Sequence, residues 1–196
     1  MYANDALPEN TIFGNVECRR SICYTNNKCD QINKLWNERE APSGCSVVPA
    51  TLHNNTVDIW RIYSGLPVVS KKSIQDSKLF EQAIQNNEDF IVEKVTGKVI
   101  DMVSKTKNIF TGIIHLKKIK VPAEHFDSYF GLGYAITVTR SIGSTFDEPI
   151  SIYEWSHFFM IRNNKYTAIT RTTKIENINI MDNVKTASIY TTQFLK

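Results

Sequence analysis

Apolar positions along the chain follow two periods, and the change comes near residue 90. Before it, Cys29, Ile32, Leu35 and Trp36 recur at helical spacing from Asn26-Asn27, and Pro42 and Gly44 follow. That pattern predicts a short amphipathic helix with a definite stop. Val47-Val48 and the run from Val57 to Tyr63 predict a strand pair around a turn at His53-Asn54-Asn55, and Gly65 and Pro67 turn the chain again. A second helix is expected from Ser73 onward. Ser73 can cap it, with Asp76 three residues on as a weak capping box, and Leu79, Phe80, Ala83 and Ile84 form its stripe before Asn86-Asn87.

Beyond residue 90 the period is two. Ile91, Val95, Val99 and Val103 share a face of a strand or hairpin, and Ile113 through Val121 forms another strand closed by Pro122. Leu132, Tyr134, Ile136 and Val138 alternate with Gly133, Ala135, Thr137 and Thr139, the pattern of a half-buried strand. Residues 150–161 predict a long strand. Arg162-Asn163-Asn164-Lys165 reads as a hairpin turn, because Asn tolerates positive φ, and 166–173 as the returning strand. Ile178 and Ile180 alternate with Asn177 and Asn179, and 188–195 predicts a last strand.

Sequential strands joined by short polar turns pair antiparallel. The expected fold is therefore α+β: an antiparallel β-meander of six to eight strands packed with two helices. One domain spans residues 1–196. Residues 1–45 form a Cys-rich amino-terminal segment clamped onto it, and 64–72 are the single candidate boundary.

Four cysteines, Cys18, Cys23, Cys29 and Cys45, sharpen this picture, for none follows them. Their spacing, C-x4-C-x5-C-x15-C, offers neither the close pairs of a zinc site nor a redox C-x-x-C. An even count in a polar, turn-rich stretch predicts two disulfides, and the sequential pairing Cys18–Cys23 with Cys29–Cys45 is favoured over the other two connectivities. Four buried thiols are the plainer alternative. Disulfides place the protein in the periplasm or outside the cell. The first 17 residues lack the basic and apolar regions of a signal peptide, so the expectation is a chain from which a signal has been removed. No stretch reaches the roughly 18 apolar residues of a membrane span.

Charge is nearly balanced, with 23 basic and 20 acidic residues giving +3. On that ground nucleic acid is not expected as the main partner. The densest basic run, Lys117, Lys118 and Lys120, reads as a solvated strand end. Abundant Asn, Ile and Lys suggest a bacterium with an AT-rich genome. The sequon at Asn54-Asn55-Thr56 reads as a turn in that setting.

Catalytic chemistry finds little footing. His125 and Asp127 form H-x-D, and Glu154-Trp155-Ser156-His157 places a hydroxyl beside an imidazole. A hydrolase using His125, Asp127 and His157 can be drawn, with Ser128 or Ser156 as nucleophile. On a regular strand, however, Ser156 and His157 point apart. No nucleophile elbow surrounds any serine, and no G-x-x-x-x-G-K loop offers a nucleoside triphosphate site. A metal site from His125, Asp127 and His115 or His157 is the weaker option, and no cofactor is expected. The glycines of Phe130-Gly131-Leu132-Gly133-Tyr134 mark a bulge or a close backbone approach.

What remains is surface. Tyr153, Trp155, His157 and Phe159 form a row of large, partly polar side chains on the expected 150–161 strand, of the kind that carries binding energy at interfaces. Burial of both strand faces is the structural alternative. The expected function is a non-enzymatic protein-binding module of the bacterial periplasm or exterior: an immunity or inhibitor protein blocking a toxin or hydrolase, or an accessory subunit of a secretion apparatus. Its partner is another protein, with a small-molecule ligand still open. A small secreted hydrolase or toxin is the alternative, and a lipocalin-like carrier of an apolar ligand the third.

Overall fold

A computed structural model describes residues 16–75, 80, 82–107 and 114–181. Along the chain run β1 (Arg20–Cys23), α1 (Asn26–Glu40), β2 (Ser46–Thr51), β3 (Val57–Ile62), β4 (Pro67–Ser70), β5 (Asp89–Thr96), β6 (Val99–Lys107) and β7 (Ile114–Pro122). A single turn of 3-10 helix leads into α2 (Phe126–Tyr129). Then come β8 (Phe130–Leu132), β9 (Ala135–Thr137), β10 (Ile150–Ile152), α3 (Arg162–Ile169) and β11 (Ile178–Ile180). The fold is α+β, with mostly antiparallel pairing and few helices. The strand expected at 188–195 lies outside the described residues.

The chain divides into two compact units. Asp30–Tyr134 form one, and Met1–Cys29 with Ala135–Lys196 form the other. Residues 64–72 fall inside the first of these.

In the 30–134 unit the period-two segments pair as expected. β2 and β3 are an antiparallel hairpin, and Asn55 at its tip adopts φ 64°. β4 through β8 build a five-stranded antiparallel sheet in the order β7-β6-β5-β4-β8, with a bulge between Val92 and Lys94. Burial alternates on β2, β3 and the first half of β5, so one face of each meets the core. That core is aromatic. Phe130 packs on Phe126 at 5.8 Å and meets Phe80 and Phe90 edge-on at 6.1 and 5.7 Å.

Helix α1 packs here through Trp36 and Asn37, and its Ile32 is buried. Asn37 is buried and satisfied: its amide donates to the Arg61 carbonyl (2.8 Å) and its carbonyl accepts the Arg61 N–H (2.9 Å). Trp36 stacks on Tyr134, whose hydroxyl bonds Tyr63 and donates to Glu40 (3.0 Å). Burial, then the Tyr63 hydroxyl, push the Tyr134 phenol well up from its ordinary range. Gly133 is a close approach, as its position suggested. A Cβ there would lie 3.0 Å from the Pro67 carbonyl carbon and the Val68 nitrogen.

The second unit is built differently. β1, β9, β10 and β11 form a sheet in the order β11-β10-β1-β9, and every pairing in it is parallel. Each strand pairs over only three residues, and nearly all are buried. Parallel strands covered on both faces read as short apolar runs rather than alternation.

Four sequence expectations are corrected. The helix from Ser73 is not formed among the described residues: Ile74 and Ile84 bond each other reciprocally as an antiparallel bridge (2.8 Å both ways). The alternating run 132–138 is split between β8, antiparallel to β4, and β9, parallel to β1. The long strand 150–161 stops at Ile152, and Glu154 at φ 60° turns the chain away. Residues 162–169 are helix α3, not a hairpin.

The disulfides are absent too. All four cysteines are free thiols, three buried and Cys45 half-buried. Cys18 accepts from the Asn179 amide (3.1 Å). The neighbouring Cys29 thiol, then burial, push the Cys23 thiol well above the ordinary range.

Candidate functional site

Open parallel sheets present their ligand sites outside the carboxyl ends of the strands, where loops leave the sheet. In the parallel unit two such ends converge. Tyr24 and Thr25 follow β1, and Tyr153 and Glu154 follow its neighbour β10. The Tyr153 N–H donates to the Ile22 carbonyl (2.9 Å), which continues the ladder one step before the chains diverge.

Glu154 organises the junction. One carboxylate oxygen accepts from the Tyr24 N–H (3.0 Å) and the Thr25 N–H (2.8 Å); the other accepts from the Thr25 hydroxyl (2.7 Å). Thr25 in turn caps α1, its hydroxyl accepting from the Lys28 N–H (3.2 Å). A carboxylate thus sits at a helix amino terminus, where the dipole favours it.

From this anchor the 155–166 segment carries its aromatics outward. His157 lies 4.8 Å from Tyr24 and 6.0 Å from Phe159, and Phe158 meets Phe159 edge-on at 5.0 Å. The four rings form one continuous row. Phe158 and Phe159 are 72% and 61% exposed, and Ile161 and Tyr166 are exposed beside them in sequence. The two exposed rings lie side by side as an apolar patch, the kind of surface feature that interaction sites use. Tight turns hold the segment: the His157 N–H donates to Glu154 (3.0 Å), the Met160 N–H to His157 (2.8 Å) and the Asn164 amide to Phe159 (3.2 Å).

Two ammonium groups stand over rings here, Lys165 above Trp155 at 5.0 Å and Lys28 above Tyr153 at 5.1 Å. Neither has a carboxylate within ion-pair distance among the described residues. Between residues 154 and 171 the charges are Glu154 against Arg162, Lys165 and Arg171. Arg171 ties the end of α3 to the loop after β9, donating to the carbonyls of Thr167 (2.9 Å), Ser141 (3.3 Å) and Ser144 (3.2 Å).

The expected aromatic row is therefore placed unevenly. Along the 155–166 segment Trp155 and His157 are half-buried and Phe159 is exposed. Tyr153 is buried, and burial, then the Glu17 carboxylate, push its phenol well up. Tyr24 and Phe158 are the remaining rings of the row. Tyr24 is remote along the chain, and the strand pattern of residues 150–161 puts Phe158 on the core face with Ile150, Ile152 and Met160, whereas β10 stops at Ile152.

His125 and Asp127 lie in the 30–134 unit and His157 in the parallel unit, each with its own neighbours. Asp127 pairs with the Lys71 ammonium (2.6 Å) and accepts the Thr51 N–H (2.9 Å); His125 lies 3.7 Å from Glu124; His157 sits in the aromatic row. Lys117 pairs with Glu88 (2.7 Å) and Lys118 with Glu93 (3.3 Å) on β7. No helix among the described residues is long and apolar enough to cross a membrane.

No protein-family model matches the sequence, and no curated protein matches it. Among solved structures the chain is similar to a Pif1 helicase from Candida albicans, with a TM-score of 0.51 and 12% sequence identity. The match covers 90% of this chain and 50% of the helicase, so the chain spans about half the length of that protein.

Proposed function

We propose that this chain is a nucleic-acid-binding portion of a helicase-like protein. The observation that carries the reading is a likeness of fold to a helicase, which by definition acts on nucleic-acid strands, over 90% of the chain. The parallel unit supports it with a positively charged, aromatic surface at the carboxyl ends of β1 and β10, where such sheets bind ligands. Local charge matters more here than the net +3 that turned the sequence reading away from nucleic acid. No G-x-x-x-x-G-K loop is present, so nucleoside triphosphate hydrolysis is not assigned to this chain by itself.

The test is fluorescence anisotropy of a labelled single-stranded oligonucleotide titrated with the full chain at low and at physiological salt. Binding that weakens steeply with salt is the expected result. No binding at low salt would remove the reading.

A second reading keeps a protein partner. It is favoured by the outward face of the β2–β3 hairpin, where Val47, Val57 and Ile59 are 58–72% exposed. A protein-binding module of the bacterial periplasm or exterior would use such a face. Its placement outside the cytosol draws nothing from the cysteines, which are free.

A further inference from the structure

We infer that Tyr24, His157, Phe158 and Phe159 form a shelf on which bases of a single-stranded nucleic acid stack, with Lys28 and Lys165 flanking it toward the phosphates. This rests on the nucleic-acid reading above and names the surface and the form of strand it takes. In a duplex the base faces are covered by their neighbours; only an unpaired strand can offer them to protein rings. The shelf has the required components. Its rings follow one another at centroid separations of 4.8, 6.0 and 5.0 Å, and its last two members are mostly exposed.

Charge selects this occupant over an apolar one. Lys28 and Lys165 are held over rings and lack carboxylate partners among the described residues. Of the nearby carboxylates, Glu154 is consumed by two backbone N–H groups and a hydroxyl, and Glu17 accepts from the Tyr153 hydroxyl (3.4 Å). What faces outward is therefore aromatic and cationic, the combination that tracks a strand by stacking on bases and neutralising phosphates. Every base has a π-face, so binding should tolerate sequence. Phe158 and Phe159 are nearly perpendicular, at 78°, so a base stacked on one meets the edge of the other.

The experiment uses the full chain and a single-stranded DNA carrying 2-aminopurine, whose fluorescence is quenched by stacking. The native chain is expected to quench it. The double variant F158A/F159A should bind roughly 10- to 100-fold more weakly, while its thermal midpoint and salt slope stay close to native. F158Y/F159Y should restore affinity. K165A should instead lower the salt slope by about 0.7. Equal binding by native and F158A/F159A chains would overturn the shelf and leave the nucleic-acid reading standing. No binding by the native chain would overturn both. A native dimer that F158A/F159A abolishes in sedimentation would give the surface to a second copy of the chain and overturn the inference. Quenching by the native chain alone separates stacking from simple charge attraction, even if the alanine pair perturbs folding.

Discussion

The two units of this chain solve burial in opposite ways. In the 30–134 unit, strands pair antiparallel, burial alternates on several of them, and the core joins aliphatic side chains to a cluster of large aromatics. In the other unit the four strands are parallel, pair over only three residues each, and are buried nearly throughout. An antiparallel strand can leave one face in water; a parallel one needs cover on both. The difference bears on function. The parallel arrangement sends chain out of neighbouring strand ends in the same direction, which brings Tyr24 and the 153–159 segment together from 130 residues apart along the sequence.

Core truncations should separate the units most strongly. Phe130→Ala removes a fully buried ring from a cluster of three others and is expected to destabilise by about 3–5 kcal/mol. Ile150→Ala, fully buried on β10, should do so by about 2–5 kcal/mol. Hydrogen exchange on the full chain checks which amides lose protection. β5 and β8 should be affected first by Phe130→Ala, and β1 and β11 by Ile150→Ala. Uniform loss in both variants would erase the distinction between units.

Next in size is Gly133→Ala. Its Cβ would meet backbone of residues 67 and 68 at 3.0 Å, and rigid overpacking of this kind is expected to destabilise by about 1–3 kcal/mol. Chemical denaturation measures it. Glu154→Gln replaces a carboxylate that accepts three hydrogen bonds at a helix start and should destabilise by about 1–3 kcal/mol. An unchanged midpoint would show that the junction of β1 and β10 does not depend on that charge.

The smallest effect concerns Asp58 on β3. Burial pulls its carboxyl upward, but the Ile59 N–H (2.8 Å) and the Lys34 ammonium (3.1 Å) outweigh this and hold it below the usual range. A carboxyl depressed in the folded state adds stability above its unfolded pKa of about 4, and that stability is lost as pH falls through the folded value. Asp58→Asn should therefore cost under about 1 kcal/mol at pH 7 and less still in acid. Urea midpoints at pH 7 and in acid test the sign.

What could be read in the sequence follows the same division. Helix α1 was visible because Cys29, Ile32 and Trp36 keep a helical period between clear boundaries. Strands β5, β6 and β7 were visible because their pattern keeps a period of two, and β2 and β3 because apolar runs flank the polar turn at His53-Asn54-Asn55. The parallel strands carry no such signal: Ile150-Ser151-Ile152 is too short to show a period, and its neighbours are remote in sequence. Aromatic alternation continues through Phe159 and suggests a strand, yet Glu154 enters the left-handed region, drawn there by the Tyr24 and Thr25 amides. Asn163 and Asn164 suit a hairpin turn by propensity but sit in α3, where tertiary context overrides a weak local preference. The clustered cysteines gave a pattern without geometry, and two of them, Cys23 and Cys29, ended as neighbouring free thiols. The site was half legible: Trp155, His157 and Phe159 could be named from one segment, whereas Tyr24 and Lys28 join them only through parallel pairing.

Photocrosslinking locates a bound strand on the protein. A single-stranded oligonucleotide carrying 5-iodouracil is irradiated with the full chain, and adducts are mapped by mass spectrometry. Adducts are expected at Tyr24, His157, Phe158 or Phe159. Adducts confined to the 46–62 hairpin, or none at low salt, would contradict the stacking shelf.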